Sequence, residues 1–404
     1  MTPERNPFAP GAGTQPPELS GRESILDGAR LALARTRLGR PARGQILLGL
    51  RGVGKTVLLN KIAEIAESDG YLTIVLEAPE GRRLADMLVP QLRSTLLKLS
   101  KVERARQVAR RGMGILRSFA ATFKVSVGDV SFGVEAEEGT ADSGDLEVDL
   151  TEVLVAVGVA AREAVVPVTL LIDEVQYLTT QDLAALIVAV HRIGQKGLPF
   201  IVFGAGLPQL AGLAGEAKSY AERLFDYPGV GALDDDAARR AIQTPVTREG
   251  VSISTEALDV IVQRARGYPY FLQEWGAQTW DEAPESPITA EDAVRATIAV
   301  LTRLDQSFFR VRFDRLTPRE KDYVRAMAEI GPGPHRSGDV AQVLGMLVTA
   351  AAPLRSGLIK KGMIYSPQHG DTAFTVPMFD EFLKRMIPEP PGKTGKKLKR
   401  GARR

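Results

Sequence analysis

Two short stretches carry side chains whose types and spacing could act on a phosphorylated ligand. The first is Gly49-Leu50-Arg51-Gly52-Val53-Gly54-Lys55-Thr56, which fits G-x-x-x-x-G-K-[ST], the phosphate-binding P-loop. Glycines there let backbone N–H groups curl around phosphate oxygens with no Cβ in the way. A helix starting at the same point adds partial positive charge. In this pattern Lys55 reaches the β- and γ-phosphates and the Thr56 hydroxyl ligates Mg²⁺. The second stretch is Val166-Pro167-Val168-Thr169-Leu170-Leu171-Ile172-Asp173-Glu174, an apolar run ending in two acids, the Walker B pattern. Asp173 suits a second hold on Mg²⁺ opposite Thr56. Glu174 suits a general base that polarises the attacking water. Gln176 and Tyr177 follow in the next turn, facing either the γ-phosphate or a neighbour.

Such groups need strands and helices to position them. Gln45-Ile46-Leu47-Leu48 reads as a buried strand before the loop, and Val57–Ala63 as a helix after it. Tyr71–Leu76 and Pro199–Phe203 read as further buried strands, the latter running into Gly204-Ala205-Gly206. A helix is expected from about Ile25 to Arg37, with Ser20 and Glu23 as its capping box, and others over 85–99 and 101–124. The last is basic, with Arg104, Arg106, Arg110, Arg111 and Arg117 set against Glu103. A solvated face and a nucleic-acid contact both fit it. Phe123–Val134 alternates about Gly128-Asp129 and reads as a hairpin, and Glu135–Gly144 as a loose acidic segment. Residues 101–150 are therefore taken as an insertion. Arg223 precedes a strand-like Tyr227–Leu233. Three roles suit it: an arginine finger in a neighbouring subunit, a phosphate contact in its own chain, or a core-edge salt bridge.

Composition narrows the classes. With 404 residues, 44% hydrophobic and 25% charged, the chain suits two or three globular domains. The absence of cysteine excludes disulfides, thiolate metal sites and cysteine nucleophiles, and three dispersed histidines (His191, His335, His369) argue against a His-based metal centre. No apolar run reaches about 18 residues, so no membrane span is expected. Met1–Pro7 lacks an apolar signal core, and a cytoplasmic protein is expected. Net charge is only +3, yet residues 316–404 hold 16 Lys/Arg against 8 Asp/Glu, which marks this end for polyanions.

Residues 1–17 read as an extended Pro- and Gly-rich arm, 18–233 as the nucleotide domain and 234–315 as a helical unit. That unit is interrupted at Gly267-Tyr268-Pro269, and its aromatics Tyr270, Phe271, Trp275 and Trp280 suit a core or a base-stacking platform. Residues 316–387 give three helices, a two-stranded ribbon with His369 at its tip and a closing helix, the pattern of a winged helix-turn-helix. In DNA-binding versions the third helix enters the major groove, which puts Arg355, Lys360 and Lys361 on or beside the reading helix. Without its tail this unit is near neutral, so docking a protein is the competing role. Residues 388–404 form a basic, disordered tail that binds phosphate backbones without sequence preference, or serves solubility alone.

With these parts in order, residues 18–386 resemble AAA-type P-loop ATPases of the origin-recognition-complex-like and STAND branches. The resemblance implies an α/β P-loop NTPase fold of the additional-strand type. A parallel sheet carries helices on both faces, and an all-α lid and a winged helix follow. It implies ATP with Mg²⁺ as ligand, DNA as a partner, and either a homo-oligomer or a protein partner beside it. Gly21 and Arg22, in Ser20-Gly21-Arg22-Glu23, look like the motif those families place near the adenine. Gly267-Tyr268-Pro269 is similar to their G-x-P motif, which implies that Pro269 touches the nucleotide. The strand ending at Gly204-Ala205-Gly206 lacks the family's polar γ-phosphate sensor, and no sensor arginine heads the lid helix. Slow hydrolysis by an ATP/ADP switch is the expectation that follows.

Overall fold

The computed structural model describes residues 1–11, 13–125, 132–368 and 370–391. The centre of the expected hairpin, His369 and the Lys393–Arg404 tail lie outside the described residues. The apolar runs become β1 (Gly44–Leu48), β2 (Leu72–Glu77), β3 (Val168–Asp173), β4 (Phe200–Gly206) and β5 (Phe225–Asp226). All neighbours pair in parallel, in the order β2-β3-β4-β1-β5. The strands read as nearly continuous apolar runs because both faces are covered. Leu47, Leu171 and Phe203 face the helices Glu23–Arg37 and Lys55–Ser68. Their neighbours Ile46, Leu170, Ile172 and Val202 face Leu84–Leu99, Leu146–Ala164 and Thr180–Gln195.

Local chemistry moves several expected boundaries. The helix Glu23–Arg37 has Arg22, not Ser20, at its N-cap, and Glu23 instead reaches back to the Gly21 N–H at 3.1 Å. The edge strand is Phe225–Asp226 rather than Tyr227–Leu233, and Pro228, with no N–H to give a ladder, limits it on the C-terminal side; past β5 the chain is held by Leu48 N–H donating to Pro228 O at 3.0 Å. Within 101–150 a basic helix does form, at Arg106–Thr122. The helix Leu146–Ala164, capped by Asp145, was not anticipated.

The helices Asp235–Arg248, Thr255–Ala265, Pro269–Glu282 and Ala290–Arg303 follow, then a π-helical turn at Leu304–Phe309 and a short helix Arg310–Phe313. The arm is strapped along this unit. The Met1 ammonium donates to Ala283 O at 2.8 Å, Trp280 Nε1 donates to Thr2 O at 3.1 Å, and Phe8 is buried against Gly276. The aromatics of Pro269–Glu282 are mostly core: Phe271, Trp275 and Trp280 are all buried. The C-terminal unit has helices Pro318–Ile330, Ser337–Leu344 and Val348–Lys360, strands β6 (His335–Arg336), β7 (Ile364–Tyr365) and β8 (Asp371–Phe374), and a last helix Phe379–Met386. Its strands pair antiparallel in the order β6-β8-β7. Among the described residues no single helix is long and apolar enough to cross a membrane.

Candidate nucleotide site

The P-loop leaves β1, between β4 and β5, and turns into the helix Lys55–Ser68 at Gly54. Gly52 has φ +82°, and a Cβ there would lie 3.2 Å from the Tyr268 ring and 3.3 Å from Tyr270 Cβ. Glycine is thus required by both conformation and space. Beneath it, β3 lies next but one to β1, with β4 between, the placement that the resemblance to additional-strand ATPases implies.

Thr56 Oγ1 donates to Asp173 Oδ2 at 2.5 Å, and the Glu174 N–H holds the other carboxylate oxygen at 2.8 Å. A hydroxyl and a carboxylate oxygen converge here on the helix N-terminus, a hard-oxygen donor pair of the kind that Mg²⁺ takes together with phosphate oxygens. The residues fit the ion. Thr56 and Asp173 would hold it, and it would supply charge neutralisation to the phosphates. Burial holds the Asp173 carboxyl above the ordinary carboxylate range, only partly offset by the Thr56 hydrogen bond. Burial also pulls Lys55 below the usual amine range, against the pull of Glu174 and Asp173. The Lys55 ammonium donates to Leu50 O at 2.8 Å, so its charge is centred on the loop.

Glu174 sits in the left-handed region at φ +53° and borders the cavity above the loop. Its carboxylate accepts a hydrogen bond from Gln176 Nε2, while Gln176 Oε1 accepts from Leu207 N–H at 3.1 Å. Gln176 therefore joins the acid to the end of β4, where no polar side chain stands. The cavity holds about 340 Å³, within the range of ligand sites. Its walls include Lys55, Thr56, Val57 and Leu58 of the loop helix, Glu18–Ser20 and Arg22, Pro269 and Tyr270, and Arg312. The arm roofs it: Ala9–Gly11, Gly13 and Thr14 line it, and a Cβ on Gly13 would be 3.4 Å from Thr56 Cγ2.

The expected site residues separate into two groups. Gly52, Val53, Gly54, Lys55, Thr56, Arg51, Glu174, Arg22 and Pro269 meet at the cavity, and Asp173 lies behind Thr56. Gly49 and Leu50 support the loop from below; a Cβ on Gly49 would lie 2.1 Å from Val230 O. Arg22 is buried and donates to Val53 O at 3.4 Å and to Gly231 O, tying the loop to the chain beyond β5. Gly21, at φ +71°, packs on Ala237 and is not among the lining residues.

The remaining candidates lie elsewhere. Arg223 is exposed on the short helix Ala221–Leu224, away from the cavity wall, and no ion pair involves it among the described residues. Arg355 is tied across its own unit: Nε donates to Thr372 Oγ1 at 2.9 Å and Nη2 to Ser366 Oγ at 2.8 Å. Lys361 pairs with Glu320 at 2.6 Å. Lys360 alone of the three is exposed. Two parts of the cavity wall escaped the sequence reading. Arg312 comes from the end of the helical unit, with no motif around it. The arm's Ala9–Thr14 looked like featureless Pro- and Gly-rich chain.

The AAA ATPase domain family matches residues 18–203, and a domain of unknown function (DUF8462) matches residues 306–383. No curated protein matches the chain by sequence. Among solved structures, the Walker-type ATPase of Pyrococcus abyssi is similar at 17% identity and TM-score 0.58, covering 92% of this chain and 97% of that one. The RuvB Holliday junction branch migration motor of Thermotoga maritima gives 16% identity and TM-score 0.45 over 92% of this chain and 96% of that one. The Aeropyrum pernix ORC1 protein in complex with DNA gives 14% and 0.46 over 94% and 96%. The Pyrococcus match supports the fold alone. With a five-stranded parallel sheet, a P-loop facing an acidic strand end, and the family match over 18–203, the chain carries an AAA-type P-loop ATPase domain.

Proposed function

We propose that this chain is an ATP/ADP switch: it binds ATP with Mg²⁺, hydrolyses it slowly, and couples nucleotide state to DNA binding through its C-terminal unit and basic tail. In this reading residues 316–387 are a winged helix that works in the cytoplasm. One observation carries the coupling. The C-terminal unit rests on the P-loop itself, with the Arg51 N–H donating to Thr375 O at 3.2 Å. A ligand that reshapes the loop therefore acts directly on the docked unit. Slow turnover follows from the end of β4, where Gly204-Ala205-Gly206 offers no polar side chain to the terminal phosphate. An arginine supplied by a second copy suits Arg223, which is exposed and unpaired among the described residues.

A second reading, in which the C-terminal unit grips a protein, is favoured by its third helix. The exposed positions of Val348–Lys360 are Val348, Thr349, Ala350, Ala352, Pro353, Ser356 and Lys360, a face with one charge. Leu347, at its start, is 76% exposed. Binding of fluorescent duplex DNA, with and without ATP·Mg²⁺ over a salt series, separates the two. ATP-dependent binding that survives deletion of 393–404 supports the DNA switch. Binding that vanishes with the tail and ignores Lys360→Ala rejects it in favour of a protein partner.

A further inference from the structure

We infer that Arg51 and Arg312 together form a paired-cation site for the terminal phosphate of the bound nucleotide, so that the element leading into the C-terminal unit reads triphosphate against diphosphate. The inference rests on the nucleotide reading of the cavity and assigns the residues that carry its switching.

Both residues border the cavity that holds Lys55. Arg312 reaches it from Arg310–Phe313, one turn before the C-terminal unit begins. It lies over the Phe308 ring at 4.1 Å and donates to Phe308 O. Phe308 in turn stacks on Tyr270 at 4.7 Å between ring centres, so the π-helical turn Leu304–Phe309 fixes where Arg312 points. Neither arginine has a carboxylate within ion-pair distance among the described residues. Arg51 Nη2 donates only to the neutral Tyr177 hydroxyl at 2.7 Å, and Arg51 Nε is buried with no partner. Burial, and then repulsion from Arg51, push Arg312 down to about 10.

Arg312, beside Arg51 and without an anion, is opposed both by its own burial and by the neighbouring charge. A terminal phosphate, with its planar-fork match to guanidinium and high charge, relieves both. Lys55, the other cation of the loop, already has Glu174 and Asp173 as charged neighbours. The far side of Arg51 is the C-terminal unit. A Cβ on Gly362 would come within 2.7 Å of Arg51 Nη2, and Thr375 O takes the Arg51 N–H. A phosphate that draws the Arg51 side chain from Tyr177 therefore disturbs the contact on which that unit rests.

The test is binding of fluorescent ATP and ADP analogues to the full chain carrying Arg312→Gln, Arg51→Gln or Arg312→Lys. Each glutamine variant is expected to weaken ATP about ten- to a hundred-fold, the worth of a charge-assisted hydrogen bond, and to leave ADP close to the parent. Arg312→Lys keeps the charge without the fork and should fall between; with Arg51→Gln it decides the matter if Arg312→Gln does not fold. Equal loss for both nucleotides, or no loss for either, overturns the inference. A parent chain that binds neither nucleotide overturns the nucleotide reading itself.

Discussion

Gln176→Ala removes the link between Glu174, the proposed general base, and the end of β4. Gln176 reaches into space that a side chain on β4 would otherwise fill, since a Cβ on Gly206 would lie 2.7 Å from Gln176 Oε1. From there it accepts from Leu207 N–H at 3.1 Å and donates to the Glu174 carboxylate. Without it the Leu207 N–H, on a residue only 2% exposed, has no side-chain acceptor. A buried unsatisfied donor costs about 1–3 kcal/mol, or about 2–4 °C of melting temperature per kcal/mol in a domain of this size. Glu174 also loses the tether at a backbone conformation of φ +53°. A reacting group displaced by about 1 Å loses on the order of a hundredfold in rate. Single-turnover hydrolysis should therefore slow about a hundredfold, while ATP affinity stays near that of the parent. A lowered melting temperature with unchanged hydrolysis would make Gln176 a structural residue only and refute the reasoning. So would a loss confined to ATP affinity.

Other perturbations follow from the same geometry. Phe8→Ala removes a buried ring packed on Gly276, a change that costs up to about 3–5 kcal/mol; the arm should release and fluorescent ADP should dissociate faster in stopped flow, whereas an unchanged rate would mean that the arm does not gate the cavity. Gly267→Ala places a Cβ 2.4 Å from Leu233 O at φ +65°, so thermal unfolding should report a loss of more than about 1 kcal/mol, and an unchanged transition would contradict the fit between helical unit and sheet domain. Asp173 is raised in the folded chain by burial, so its protonated form favours folding below the unfolded carboxylate range, and that gain is lost as pH rises through the folded value. Mg²⁺ needs the ionised form, so Mg·ATP affinity should weaken on mild acidification, and Asp173→Asn should remove that dependence along with most of the affinity.

The loop and its acid were legible because each is a local motif: one strand, one turn and the residues that follow. The position of β4 between the two functional strands came from the family resemblance, not from the motifs themselves. What composition could not convey was how distant segments meet. Phe8 sits in a Pro-rich stretch whose meaning depends on Gly276, 268 residues away. Arg355 reads as a free charge on a reading helix until Thr372, Ser366 and the Asp371 carbonyl are seen to consume its donors. Arg312 gains its role from a π-helical turn, which no periodicity announces. The helix Leu146–Ala164 escaped because its apolar residues are not confined to the buried face: Val148, Val155 and Val159 lie outside it and blur the amphipathic pattern.

The central claim is that nucleotide moves the C-terminal unit. The chain has no cysteine, so Ser68→Cys and Ser356→Cys, both exposed, give two unique dye positions, one on the loop helix and one on the third C-terminal helix. Energy transfer between them should change when ATP·Mg²⁺ binds, return with ADP, and stay fixed in Lys55→Ala. Transfer that stays constant while ATP demonstrably binds would contradict the switch.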